Sequence, residues 1–282
     1  MRDFDLRALQ LIELEMLKDF HAFCEENDIV YFMNSGTLLG AARHQGFIPW
    51  DDDIDVCMDV KNYKKFLKLA PSKFPREYFC QNYRTDHKVG IRWTRVRKNG
   101  TTSMERNMTG YEIHYGVCMD VFVINGLRKT KLGKYLQAKA SQLLTILLEK
   151  HFIAAAGYEV SSHIQMLYQY IPEKLRLLMC RILENIIRVD TERGEWCYNT
   201  WFNYPSTGDE CVMPSEVFRP TERIKMKFED GEFYAPQQYE TYLELEYGDW
   251  KTIPPESERV THGDIIVDLE NDYSTYFTGH KV

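Results

Sequence analysis

The sequence predicts a mixed α/β (α+β) fold, in which a small mixed sheet carries flanking helices and a helical insertion. Three observations carry this. Short strand-like runs recur at 29–33, 54–58, 78–83, 90–96 and 116–124. Segments with apolar residues at helical spacing stand between them. From about 130 to 200 the helical pattern dominates, which sets a helical block (131–200) between a core (1–130) and a C-terminal part (201–282) that completes it.

Taken in order, residues 5–27 read as an amphipathic packing helix, with Leu9, Met16, Leu17, Phe20 and Phe23 on one face. A short strand ending at Met33 delivers the chain to a Ser35-Gly36 turn, and 37–43 is a short helix. Residues 61–70 are helical, and Pro71 is expected to stop them. The strands at 78–83 and 90–96 are followed by Asn99-Gly100, a tight-turn signal. The run from Gly116 to Ile124 is an apolar strand holding one charge, Asp120. Leu132, Leu136, Leu143, Leu144, Leu147 and Leu148 give a helix at 131–156 its apolar face, and 163–170 and 172–189 are two more helices. In the last, Leu175, Leu178, Met179, Ile182, Leu183 and Ile186 form a stripe, with Lys174, Arg176, Arg181 and Arg188 mostly off it. Such a helix suits peripheral contact with a membrane surface, although packing in a helical subdomain is the commoner explanation. Asp230-Gly231 marks a hairpin between 223–228 and 232–234. Residues 236–247 form a helix ended by Gly248, and the final stretch reads as a loosely attached tail.

Composition narrows the class. The chain has 282 residues, 44% hydrophobic and 27% charged, with a net charge of −7. That balance is ordinary for a globular protein and argues against a nucleic-acid binder working by bulk positive charge. The cysteines number seven, an odd count, with no Cys-x-x-Cys, so they read as reduced core thiols of a cytosolic protein. No signal-peptide core opens the sequence, and no run of about 18 apolar residues provides a transmembrane segment. The expected location is the cytoplasm, or the inner face of the membrane.

The densest chemistry lies at Asp51, Asp52, Asp53 and Asp55. In a strand, residues two apart share a face, so Asp53 and Asp55 project together while Ile54 and Val56 turn inward. Two carboxylates ~5 Å apart repel by roughly 3 kcal/mol at an effective dielectric of about 20. A divalent cation with a preference for hard oxygen ligands, Mg²⁺ or Mn²⁺, would relieve that. A lone Asp run is more often a solvated turn. Here apolar residues flank it, and the turn Ser35, Gly36, Thr37 lies just upstream, opening a helix whose N-terminus suits a phosphate. Arg43 is a further candidate for a phosphate contact. His44 could be a general base, a phosphate donor or a structural hydrogen bonder, the last being commonest. A basic cluster at Arg92, Arg95, Arg97 and Lys98 offers a diphosphate its cations, Arg95 and Lys98 among them.

A glycine-containing turn followed by Asp-x-Asp on a strand looks like the nucleotidyltransferase fold. The string GTLLGAARHQGFIPWDDDIDV closely resembles the signature of the LicD family, whose pattern fukutin-related proteins share. Softer similarities, including KFEDGEFYAPQQYETYLELEYGDW, extend it to about Gly263. The resemblance implies transfer of a phospho-alcohol, most simply phosphocholine from CDP-choline, to a sugar hydroxyl of a cell-surface glycan or teichoic acid precursor, releasing CMP. It implies a third carboxylate on a neighbouring strand, the role that Asp120 matches, so that Asp53, Asp55 and Asp120 would be the catalytic residues and the ligands of Mg²⁺ or Mn²⁺, with Asp120 the likeliest base. It sets Tyr247, Gly248, Trp250 and His262 on the acceptor side. The alternatives are transfer of ribitol phosphate, transfer of NMP from an NTP, and a binding module without catalysis.

Overall fold

The structure is a computed structural model that describes residues 4–149, 170–200, 212–259 and 265–277. Among these the chain forms six α-helices and eleven strands: α1 (Leu6–Glu26), β1 (Phe32–Met33), α2 (Ser35–His44), β2 (Ile54–Asp59), α3 (Val60–Lys73), β3 (Tyr78–Gln81), β4 (Thr94–Lys98), β5 (Thr102–Glu105), β6 (Cys118–Gly126), α4 (Lys131–Leu148), α5 (Glu173–Ile187), β7 (Trp196–Asn199), β8 (Val212–Pro214), β9 (Arg223–Phe228), β10 (Gly231–Pro236), α6 (Tyr239–Tyr247) and β11 (Ile265–Asp268). The expected mixed α/β class is the one observed.

The main sheet runs β3-β4-β6-β2-β1, with β7 on β6 and β8 on β7. Its central pair, β2 and β6, is parallel, and the other pairs are antiparallel. On one edge of β6, residues 118–121 take β4 and residues 124–126 take β7. Alternation puts Ile54, Val56 and Met58 on one face with Met119, Val121 and Val123, all fully buried. Helices α1 and α3 cover that face. Phe20 of α1 packs edge-on against Phe66 and Phe74, and the Tyr63 hydroxyl of α3 meets Thr94 Oγ1 of β4 at 2.7 Å. Asp55 and Asp120, level with each other, share the opposite face. Helices α4 and α5 pack on one another around Leu144, Leu147, Leu148, Cys180 and Ile187, a second apolar cluster.

Several local expectations change. Pro71 does not stop α3, which runs to Lys73. A proline so near the end of a helix spoils only one late hydrogen bond, and Phe74 N–H still reaches Ala70 O at 3.0 Å. The strand expected at 90–96 is Thr94–Lys98 instead, because the Arg92 carbonyl accepts from Arg188 Nη2 at 2.7 Å outside any ladder. Pro236 ends β10 opposite Arg223 rather than opening a helix. Leu132, Leu136, Leu175, Leu178 and Ile182 are exposed, while Arg176, placed off the apolar stripe, is fully buried. Arg176 binds the carbonyls of Leu147 and His87 and the Glu173 carboxylate. The tail is attached at least through residue 277. β11 pairs with β5, and Tyr273, Tyr276 and Phe277 pack around Met104, Met108, Tyr111 and Tyr115. Cys24, Cys57, Cys80, Cys118, Cys180 and Cys197 are free thiols. Cys211, His262 and the helix expected at 163–170, apart from Tyr170, lie outside the described residues.

Candidate active site

The centre of the site is a register. β2 and β6 pair so that Asp55 stands level with Asp120, on strands that parallel pairing spaces by ~4.8 Å. β4 pairs with β6 on the other side so that Arg95 stands level with Asp120 as well. Three charged residues on adjacent strands therefore line up across one face. Arg95 Nε donates to Asp120 Oδ1 at 2.9 Å, and the guanidinium lies 5.9 Å from the Trp93 ring centroid. Asp55 makes no direct ion pair among the described residues, although Arg95 feels its charge. Burial pushes its carboxyl well above the usual range, and Asp53, Asp120, Asp51 and Cys118 add to the shift.

Helix α2 holds Asp55 by its backbone. The Asp55 N–H donates to Thr37 Oγ1 at 2.8 Å, and the Asn34 N–H donates to Asp55 O at 3.0 Å. Gly36 sits against Asp51, where a Cβ would lie 2.7 Å from Asp51 Oδ2. Glycine here leaves room for that carboxylate beside the first turn of α2, whose dipole favours negative charge. Ser35, at φ +43°, gives its N–H to the Tyr242 hydroxyl of α6 at 3.1 Å. That hydroxyl in turn reaches Asn34 Oδ1 at 3.1 Å. Ser35 and Thr37 thus shape the turn through contacts within the protein, and Gly36 faces the carboxylates.

The other expected contacts divide. Arg43 Nη1 donates to the carbonyls of Trp250 at 2.9 Å and Thr252 at 3.3 Å, so it ties α2 to the C-terminal part. Burial lowers the His44 pKa and Arg43 adds to it, while the ring meets Trp50 edge-on at 6.3 Å. Arg259 lies over Trp50 at 4.3 Å. Lys98 is not brought to the carboxylates. Three positions from Arg95, it points to the opposite face of β4, with its ammonium 5.3 Å from the Tyr78 ring centroid. Arg97 shares the Arg95 face but is buried, bonded to Gln81 Oε1 and Gly116 O.

Two more groups join the site, the first of them not expected there. Glu13 of α1 is 2% exposed, and its Oε2 makes no hydrogen bond. Burial drives its pKa well up, and Asp53, Cys118, Asp52 and Asp51 raise it further. A carboxylate within the stripe Leu9, Met16, Leu17, Phe20 was the available signal. Tyr247 of α6, expected only on the acceptor side, also feels the site. Burial raises its phenol pKa, with Glu246, Asp55, Asp51 and Asp53 contributing.

Among the described residues no three carboxylate, histidine or cysteine side chains are already closed into a metal-binding arrangement. The donor chemistry nevertheless fits a hard divalent cation: neighbouring carboxylates raise the pKa of Asp55 and of Glu13, whose Oε2 makes no hydrogen bond.

A parallel strand pair here presents level carboxylates beside a glycine turn. Residues 28–131 match the family model described as LicD/FKTN/FKRP, nucleotidyltransferase domain. The chain is 26% identical to the lipopolysaccharide cholinephosphotransferase LicD of Haemophilus influenzae, over 93% of this chain and 97% of that protein. An uncharacterised protein of Rickettsia prowazekii is 54% identical over 42% of this chain and 35% of its own length. One of Rickettsia typhi is 45% identical over 23% and 20%.

Proposed function

We propose that this protein is a transferase that moves phosphocholine from CDP-choline to a sugar hydroxyl of a cell-surface glycan precursor and releases CMP. The observation that carries it is the level pair Asp55 and Asp120, with Asp53 and Asp51 beside it at the start of α2. The similarity to the Haemophilus cholinephosphotransferase along nearly the whole chain supports the choice of donor. Asp53, Asp55 and Asp120 would hold Mg²⁺ or Mn²⁺, which when bound neutralises the diphosphate and the charge that develops on the leaving phosphate. Arg95 engages Oδ1 of Asp120 and orients the carboxylate, so that its second oxygen accepts the proton of the acceptor hydroxyl. The hydroxyl oxygen bonds to the choline-bearing phosphorus as the bond to CMP breaks. Asp51 and Gly36 shape the wall where α2 begins.

The test is CMP release together with the mass of the modified acceptor. Asp53→Ala and Asp55→Asn should each lower turnover by at least ~10³-fold while the melting temperature is kept. Undiminished turnover would remove the site assignment. An acceptor heavier by a nucleotide, or by ribitol phosphate, would replace the phosphocholine reading with the corresponding alternative. Metal-dependent thermal stabilisation by CDP-choline above that by CTP is the expected binding result.

A further inference from the structure

The far end of the same two strands carries a second feature that the transfer chemistry does not use. Where β2 and β6 end, a groove of about 730 Å³ opens between α3, α4 and the chain that follows α5. It lies roughly 20 Å from Asp120, the rise of the six residues that separate Asp120 from Gly126. Its lining holds Lys61, Lys64, Arg128, Lys129, Arg188 and Arg193 against a single acidic residue, Asp190. Arg188 is neutralised by Glu184, and Arg128 gives Nη2 to the Ile186 carbonyl. Among the described residues, Lys61, Lys64, Lys129 and Arg193 make no ion pair. Four unpaired cations at one groove are conspicuous in a chain of net charge −7. Two helices also begin there: Val60 and Lys61 open α3, and Thr130 caps α4. The positive ends of both dipoles add to the field of the side chains.

The surface next to the groove is apolar as well as basic. Between Leu127 and Leu148 the chain has five cations (Arg128, Lys129, Lys131, Lys134 and Lys139) and no acidic residue. Among them Leu132, Tyr135 and Leu136 are 67%, 58% and 51% exposed. Large apolar side chains held in water and interleaved with lysines are the composition of a segment that seats its apolar groups among lipid headgroups while its cations meet phosphates. A free phosphate ligand would use the groove and leave these three side chains without a purpose.

We propose that the groove and the first two turns of α4 form a docking face for an anionic phospholipid bilayer, in which Lys61, Lys64, Lys129 and Arg193 meet lipid phosphates and Leu132, Tyr135 and Leu136 enter the headgroup layer. This sets the carboxylate site towards the opposite end of β6 from the surface that binds. The proposal does not depend on which group the enzyme transfers.

Co-sedimentation of the full chain with vesicles tests it. Vesicles containing roughly one part in three of phosphatidylglycerol should bind the protein, vesicles of phosphatidylcholine alone should not, and binding should fall as salt shortens the Debye length. The combined change Lys61→Ala, Lys64→Ala, Lys129→Ala and Arg193→Ala should lower partitioning by about tenfold or more, since each cation near an anionic surface adds to attraction. Leu132→Ser with Leu136→Ser should also lower it, at an unchanged melting temperature because both side chains are exposed. Equal binding to neutral and anionic vesicles, binding to neither, or full binding by both variants would overturn the proposal. So would stabilisation of the wild type, but not of the four-cation variant, by inorganic phosphate without any vesicle binding, which would assign the groove to a free phosphate ligand.

Discussion

Glu13 shows how much charge one residue adds to a site. Burial beside other carboxyls, with one oxygen free of hydrogen bonds, pushes its pKa well up and so favours the protonated form. Its folded pKa lies above its unfolded value, so its contribution to stability is whole below the ordinary 4.5 and is lost as pH rises through the raised value. Glu13→Gln should therefore match the wild type in acid and exceed it in alkali, by about 1–3 kcal/mol for a buried group of this kind. Urea melts of the metal-free protein across pH would show this, and a difference independent of pH would refute it. Alternation made Asp55 legible as a residue on the face opposite Ile54 and Val56, whereas Asp53, expected in the same strand, lies just before β2 begins at Ile54. The sequence hid Glu13, since a polar residue within a helical stripe shows that it is buried but not what it faces. Lys98 stands apart from Arg95 for a related reason. Arg95 and Lys98 differ by an odd number of positions, and in a strand that is enough to separate them.

Between elements, what matters is the clamp between α2, β2 and α6. Thr37 Oγ1 takes the Asp55 N–H, and Tyr242 OH bridges Asn34 and Ser35. Thr37→Val should strand a buried amide at a cost of about 1–3 kcal/mol and release Asp55 from its position. Tyr242→Phe should cost a similar amount but leave the Asp55 amide held. Turnover should accordingly fall more for Thr37→Val than for Tyr242→Phe at equal loss of melting temperature. Equal falls would mean that the clamp stabilises the fold without positioning Asp55. The helix and the strand could be read separately from periodicity. The level placing of Asp55 and Asp120 could not, because the register of two parallel strands so far apart in the chain is set by the packing between them. The Asp120 role came from the family pattern, while its ion pair with Arg95 came from three strands meeting in register. Pro71 warns in the same direction, since a breaker costs little where the helix is about to end.

Across the whole molecule, the tail reaches the site through a chain of contacts. Residues 265–268 pair with β5, and Tyr273 packs on His114 with ring centroids 4.6 Å apart. Burial and the nearby Arg97 lower the His114 pKa to about 4. Its Nδ1 accepts from the Gly116 N–H at 3.1 Å, two residues before β6 begins. Because the folded pKa is depressed, the contribution of His114 to stability is present above its ordinary 6.5 and is lost as pH falls towards about 4. Ending the chain before residue 265 would uncover Met104, Met108, Tyr111 and Tyr115. The expected loss is about 3–6 kcal/mol, from 1.5–3 kcal/mol for each fully buried apolar side chain and only partial exposure of the four. If the tail acts on the site through His114, the truncated protein should also titrate that ring closer to 6.5 by NMR and lose turnover at pH 6, where the newly charged imidazole can no longer accept from Gly116. A truncated chain that melts lower but keeps the His114 titration and the wild-type pH profile would confine the tail to holding β5 in place.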